Sequence, residues 1–412
     1  APGGPPALGL PSSTQMMCLA ELIGERFEVR LDRTLGTGGF GTVFFALDRS
    51  ASQTLSVAAK RGSAAELRAE ARMLEQVAGH PSVIGLIAFE EVPGGTAFLF
   101  LEICSGGELF ERVTDGGPMQ ERVARSFAES IAEALRHCLS RGVVHRDVKL
   151  ENVMIVGEDH RSIKLIDFGF ACEVPLTPDG GVAPALRYDG VGTPTYMAPE
   201  LWSASSGYLA PPVDCWAYGV LVFTLLSGFP PFEAASTAGR YAGNWRWSRF
   251  VQGVAGGASA CDALYGMYNR PCPFSPRARQ YCDGLLAIDA DGRATLAQCL
   301  HHPWLTSQPA AGLTSQPAAG LTPPPEQSSG ESSDDLVYRT ASAELRRPPS
   351  ATTASPVEAA VEAAEDEEVL YRTASAEGGR GGGGGRLAAP APPDGALRLV
   401  RQNGVVLGAA AL

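Results

Sequence analysis

The sequence predicts an α+β fold of two lobes, a small β-rich one followed by a larger helical one. Three observations carry that prediction. Between residues 27 and 103 the apolar residues come in short runs separated by glycine and polar turns, as strands do. After residue 105 they recur over long stretches at helical spacing. The 412 residues are 45% apolar and 19% charged, enough to bury a substantial core.

Residues 1–26 open with APGGPPALGLPSS, a mixture too poor in bulky apolar groups to pack, and read as a flexible leader. FEVRLDRTLG, TVFFALD and LSVAAK follow as three strands. AAELRAEARMLEQVAG then places Leu67, Leu74 and Val77 on one helical face. AFLFLEI (97–103) is a further strand. ERVARSFAESIAEALRHCLSRG and VDCWAYGVLVFTLLSG are helices of the second lobe. Beyond Trp304 the composition changes. LTSQPAAG occurs twice in tandem, YRTASAE occurs at 338–344 and 371–377, and a Gly/Arg stretch covers 377–386. Two copies are too few to stack as a solenoid. Residues 305–412 therefore read as a disordered tail with short repeats.

Charge and cysteines narrow the function classes. A net charge of -12 argues against binding to a nucleic-acid backbone as the main activity. The Gly/Arg stretch of the tail could touch RNA or serve as a linker. Nine cysteines form no CxxC pair and fit reduced thiols in a cytoplasmic or nuclear protein. No uninterrupted apolar run has the roughly 18 to 20 residues of a bilayer span, and no secretory signal is visible. The chain uses thirty arginines and three lysines, Lys60, Lys149 and Lys164, so a retained lysine suggests a need for a compact ammonium.

LGTGGFGTVF carries Gly36, Gly38, Gly39, Gly41 and Val43 between two expected strands. Such glycines let backbone amides approach phosphate oxygens, although a plain glycine hairpin has the same pattern. The strand-turn-strand context disfavours a dinucleotide fingerprint, which needs strand-turn-helix. Lys60 ends the third strand, where an ammonium can reach phosphates and Glu70 of the next helix can hold it; a solvated lysine is the alternative. VVHRDVKLENVMI then presents Arg146, Asp147, Lys149 and Asn152, and KLIDFGF presents Asp167. One carboxylate can orient a hydroxyl, an amide oxygen and a second carboxylate can bind hard cations, and a lysine can meet a moving phosphoryl group.

These strings in this order resemble the eukaryotic protein kinase superfamily over about residues 27–304. GTPTYMAPE, VDCWAYGV, SGFPPF and LAIDADGRATLAQCLHHPWL extend the match, with Arg293 placed to pair with Glu200. Lys149 and GTPTYMAPE point to the Ser/Thr branch. SGGELFE, DFGFAC and HHPWL are most similar to the calcium/calmodulin-dependent kinase group, which includes phosphorylase kinase catalytic subunits. The resemblance implies a bilobal protein kinase fold: an N-lobe at 27–101, a hinge at 102–105 and a C-lobe at 106–304. Three departures stand out. Ala290 replaces a usual proline, residues 234–257 match poorly, and PLTPDGGVAPA lengthens the segment 167–200.

By resemblance, the chain moves the γ-phosphoryl group of Mg-ATP to Ser or Thr hydroxyls of proteins. The glycine loop covers ATP, Lys60 and Glu70 clamp its phosphates, and Asn152 and Asp167 hold Mg²⁺. Asp147 receives the hydroxyl proton and Lys149 offsets charge. Hinge backbone at Glu102 and Cys104 takes adenine, with Leu101 as gatekeeper. A non-catalytic scaffold of the same fold is the alternative. Glu108 and Glu151 fall where related kinases bind an Arg three residues before the target, which implies an R-x-x-S/T preference. Ser342, Ser350 and Ser375 of the tail fit that motif. Asp189 stands where many relatives carry a phosphorylated residue that meets the arginine preceding the catalytic aspartate, here Arg146. A carboxylate there implies control without phosphorylation at this position. Arg187, Tyr188 and the inserted residues could shift that register, leaving Thr177 or Thr195 as the switch. DADGR (289–293) lacks the later acids of a calcium loop, and Cys299, His301 and His302 read as structural rather than zinc-binding. The resemblance names neither substrate nor oligomeric state, and no membrane partner is expected.

Overall fold

The computed structural model describes residues 20–39, 41–50, 53–156 and 162–306. Apart from Leu305 and Thr306, which close a helix where the tail was expected to begin, the repeats and the candidate sites at Ser342, Ser350 and Ser375 lie outside these residues, as does most of the leader. The first lobe is a six-stranded antiparallel sheet in the order β1-β2-β3-β4-β6-β5. Its strands are β1 (Ala20–Ile23), β2 (Phe27–Gly38), β3 (Gly41–Asp48), β4 (Leu55–Ser63), β5 (Leu86–Val92) and β6 (Thr96–Glu102), with helix α1 (Ala64–Gln76) inserted after β4.

The leader boundary at residue 26 is therefore set too late. Residues 20–23 pair with Phe27–Arg30 through a turn in which Gly24 and Glu25 take positive φ. Four residues are too few for an alternation signal. Burial of Ile23 against Phe27 and Val29 fixes the strand instead.

Alternation in β6 organises this lobe. Phe98 and Phe100 point to one face, where Phe100 stacks on Phe27. Ala97 and Leu99 point to the other, against Leu67 and Ala71 of α1. That packing also turns Glu70 of α1 inward, where it is 2% exposed.

The second lobe begins with α2 (Leu109–Gly116) and α3 (Glu121–Ser140). Short strands follow: β7 (Val143–Val144), β8 (Val153–Val156), β9 (Ser162–Leu165), β10 (Cys172–Glu173), β11 (Leu186–Arg187) and β12 (Tyr208–Leu209). At its centre lies α4 (Ala210–Ser227), apolar on all sides because it is surrounded by protein. By length and composition α4 could cross a bilayer, yet nearly all of it is buried in the lobe. Its Tyr218 hydroxyl donates to Ala128 O at 2.8 Å, and Gly228 ends it in the left-handed conformation.

The poorly matched stretch 234–257 is ordered around α5 (Trp245–Ala255). The Asn244 side chain caps this helix, and its Trp247 and Phe250 pack on Trp216 and Phe232. Helices α6 (Ala260–Gly266), α7 (Pro276–Leu285), α8 (Leu296–His301) and α9 (Pro303–Thr306) complete the lobe. Arg293 donates to both carboxylate oxygens of Glu200 at 2.7 and 2.9 Å and to Pro212 O at 2.8 Å, tying the segment before α4 to the turn before α8.

Candidate active site

The glycine string occupies the β2–β3 hairpin, with Gly36 opposite Val43 and Gly38 opposite Gly41. Gly41 has φ +131°, and a Cβ there would lie 1.9 Å from Arg61 O, so only glycine fits. Gly36 has open space where a side chain would be. Val43 pairs across β3–β4 with Lys60, which places the hairpin beside the lysine.

Lys60 Nζ lies 2.9 and 2.8 Å from the two Glu70 oxygens and 2.8 Å from Asp167 Oδ1. It is 7% exposed. Burial alone would favour the neutral amine, but the two carboxylates outweigh it and hold the ammonium above its usual range. Burial also works against Asp167, yet Lys60 overcomes it and keeps that carboxyl at about 2. Glu70 is lifted above its ordinary value by burial, which Lys60 only partly offsets. Thus one cation joins α1 to the segment that begins at Asp167.

The loop after β7 is held from beneath by Asp214 of α4. Its carboxylate accepts from the amides of His145 at 2.8 Å and Arg146 at 2.7 Å. Those bonds support Arg146 in the left-handed region at φ +63°. The His145 ring meets Ile166 O at 2.9 Å and the edge of Phe168, so the two functional loops share an anchor.

On top of this loop Asp147 is fully engaged. Its Oδ1 accepts from Thr193 N at 3.1 Å and Thr193 Oγ1 at 2.8 Å. Its Oδ2 lies 2.9 Å from both Lys149 Nζ and Asn152 Nδ2. Lys149 also donates to Thr193 Oγ1 at 2.8 Å. With the Asn152 nitrogen turned to Asp147, its amide oxygen is the end that can meet a cation. That oxygen and the Asp167 carboxylate form a hard donor set suited to Mg²⁺, and Lys60 is suited to phosphate oxygens.

At the hinge, the Glu102 carboxylate accepts from Gly85 N and from Lys164 Nζ, the latter at 2.7 Å. Its side chain is thus structural, and an adenine contact would fall to its backbone. Burial, then the charge of Glu102, pushes the Cys104 thiol up to about 11, so it stays neutral. All three lysines serve as compact ammonium groups with more than one oxygen partner.

Arg146 donates to Phe170 O at 2.8 Å, to Asp189 Oδ2 at 2.6 Å and to the Tyr208 hydroxyl at 3.2 Å. Arg187 does not displace it: its guanidinium reaches the same carboxylate at 3.0 and 3.3 Å. The inserted residues close on themselves, with Thr177 N bonded to Gly181 O and Leu176 bridging Val182, so the downstream register is kept. Burial opposes ionisation of Asp189, but Arg187 and Arg146 together hold its carboxyl below the ordinary value. This cluster borders a cavity of about 470 Å³ that also reaches Arg72.

Glu108 begins α2 in a capping box with Glu111, and Glu151 lies in the 3₁₀ turn Leu150–Asn152. Burial first, then the neighbouring Glu151 and Glu111, pushes the Glu108 carboxyl up to about 7. Burial raises Glu151 as well, and its Oε2 is buried without a hydrogen-bond partner among the described residues. No group of three His, Cys, Asp or Glu among the described residues is arranged to hold a metal ion.

Sequence reasoning did not assign roles to Thr193, Asp214 and Tyr208. Thr193 and Asp214 lie in strings it had singled out, GTPTYMAPE and VDCWAYGV. Tyr208 lies in none and is identified solely by its hydroxyl, which donates to Asp189 O at 2.7 Å.

Residues 29–305 match the family described as the protein kinase domain. Similar curated proteins include calcium-dependent protein kinase 9 of Oryza sativa subsp. japonica, 34% identical over 286 residues, which are 67% of this chain and 45% of the relative. Calcium-dependent protein kinase 2 of Arabidopsis thaliana is 34% identical over 67% of this chain and 40% of its own length. Serine/threonine-protein kinase DCLK1 of Rattus norvegicus is 33% identical over 69% of this chain and 60% of its own length. The chain thus spans about half the length of these relatives.

Proposed function

The chain belongs to the protein kinase superfamily, and from that membership we propose that it is an active Ser/Thr kinase using Mg-ATP. The observation that carries this reading is the closed set of charges: Lys60 joined to Glu70 and Asp167, facing a second set of Asp147, Lys149 and Thr193.

The hairpin of Gly36 to Gly41 covers the phosphates of ATP, and Lys60 holds their non-bridging oxygens. Hinge backbone at Glu102 and Cys104 orients adenine. Mg²⁺, held by Asp167 and Asn152, neutralises charge on the phosphates when bound. Asp147 orients the substrate hydroxyl and takes its proton, while Lys149 stabilises charge on the transferred group. In such a loose transition state, positioning and fixed electrostatics supply most of the acceleration.

We also propose a preference for R-x-x-S/T. Glu108 and Glu151 place two carboxylates side by side, and a substrate guanidinium would satisfy the buried Glu151 oxygen. Thr224, where related kinases add another acid, bonds back to Val220 O. One arginine is therefore expected to suffice. From the cysteine pattern we also propose that the protein works in the cytoplasm or nucleus.

The test is a peptide-array phosphorylation assay on the purified chain with Mg-ATP, run beside Asp147→Asn. Transfer to Ser/Thr peptides that is lost in the variant is expected. No transfer by a folded wild-type chain to any peptide would favour the scaffold reading.

A further inference from the structure

The acidic pair at the start of α2 and the repeats of the C-terminal region have complementary chemistry. The heptapeptide YRTASAE occurs at 338–344 and again, unchanged, at 371–377. Two acids and two aliphatic residues precede each copy: Asp334, Asp335, Leu336 and Val337, then Glu367, Glu368, Val369 and Leu370. The flanks keep their character while changing residues, whereas the heptapeptide is identical. Each copy has a single basic residue, Arg339 or Arg372, and a serine three positions later, Ser342 or Ser375.

A site that binds this peptide needs an acidic pocket for the arginine and a base for the serine hydroxyl. In an extended strand the two are separated by about 10 Å, three residues at roughly 3.3 Å each. Glu108 and Glu151 supply two neighbouring carboxyl groups for the arginine, and Asp147 lies four residues before Glu151. The buried Glu151 Oε2 is an acceptor that a guanidinium would satisfy.

Chain length permits the encounter. The domain ends at Thr306 in helix α9, and Ser342 is 36 residues further on. At roughly 3.3 to 3.6 Å per residue that stretch spans up to about 120 Å, while a domain of this size is about 50 Å across. Tethering of this kind gives effective concentrations in the millimolar range.

We propose that the two YRTASAE copies are intramolecular substrates of the chain's own site, phosphorylated at Ser342 and Ser375. This rests on the kinase reading above and names its first substrate. The serine Oγ bonds to the γ-phosphorus of ATP, the bond from that phosphorus to the β-γ bridging oxygen breaks, and ADP leaves. The hydroxyl proton passes to Asp147, giving phosphoserine and ADP.

The full chain, treated with phosphatase and then given Mg-ATP, is analysed by phosphosite mass spectrometry together with an added R-x-x-S peptide. Phosphate on Ser342 and Ser375 is expected, with a first-order rate unchanged over a tenfold range of enzyme concentration. The double variant Arg339→Ala, Arg372→Ala should lose at least about tenfold in tail phosphorylation while modifying the added peptide at the wild-type rate. If the added peptide is phosphorylated but the two serines are not, or the double variant phosphorylates them as fast as wild type, this proposal falls and the kinase reading stands. A rate that rises with enzyme concentration overturns the intramolecular route. If neither tail nor peptide is phosphorylated, the kinase reading itself fails.

Discussion

Replacing Asp189 by alanine removes the anion shared by Arg146 and Arg187. Arg146 is the more affected, because its side chain is 7% exposed and, among the described residues, its remaining side-chain hydrogen bonds go to neutral groups, Phe170 O and the Tyr208 hydroxyl. Stripping the partner from a fully buried ion pair costs about 3–5 kcal/mol. Asp189 is 23% exposed and Arg187 is 33% exposed, so water can offset part of that loss. About 2–3 kcal/mol is a reasonable figure, equivalent to a roughly 30- to 150-fold shift in the ratio of ordered to disordered segment. That factor is the upper limit of the loss in activity. The assay compares phosphatase-treated wild type with Asp189→Ala and Asp189→Glu, reading kcat on an R-x-x-S peptide and hydrogen exchange across residues 167–200. Wild type should be active without phosphate, alanine slow and fast-exchanging, and glutamate partly restored. The pH dependence gives a second check. The folded carboxyl lies below its ordinary 3.8, so its contribution is complete above that value and is lost only as pH falls through the lower folded one. The difference between wild type and alanine should therefore be flat from about pH 5 to 9, whereas a phosphate would titrate near pH 6. Full activity of the dephosphorylated alanine variant, or none in dephosphorylated wild type, would refute the argument.

Lys60→Arg should reduce kcat by at least about a hundredfold with little change in melting temperature, since a planar guanidinium cannot meet Glu70, Asp167 and phosphate in the place of an ammonium; near-normal turnover would contradict the clamp. Glu108 is raised to about 7, so its charged form gains as pH rises through 7 and KM for an Arg-containing peptide should fall over that interval. Glu108→Gln should weaken the dependence, leaving the part carried by Glu151, whose carboxyl burial also raises. The same shift makes Glu108 bind more protons folded than unfolded between about 4.5 and 7, so stability falls with rising pH in that window, and the glutamine variant should melt higher at pH 8. Glu200→Gln leaves Arg293, whose side chain is fully buried, without its charge partner and, since Glu200 is 19% exposed and glutamine keeps an acceptor oxygen, should lower stability by about 2–3 kcal/mol, measured by denaturant unfolding.

The linear order of residues was enough to show the family and to mark the residues that the proposed chemistry uses. Glycine spacing, the retained lysines and the acids of VVHRDVKLENVMI and KLIDFGF are short-range patterns, and the chain must carry them locally because backbone geometry there is local. Gly41 illustrates this, since its φ and the closeness of Arg61 O admit no side chain. The alternation of AFLFLEI and the period of α1 were likewise readable, because each buries one face. Tertiary structure alone decided what joins distant parts. It showed that residues 20–23 are a strand, that Asp214 supports the loop of Arg146 and Asp147 from nearly seventy residues away, and that Thr193 sits between Asp147 and Lys149. It also gave Asp189 to two arginines at once, despite the inserted residues before it. A hydrogen bond between remote residues leaves no period in the sequence at either end. It exists because packing brings a donor and an acceptor together away from water, where leaving either unpaired would be costly.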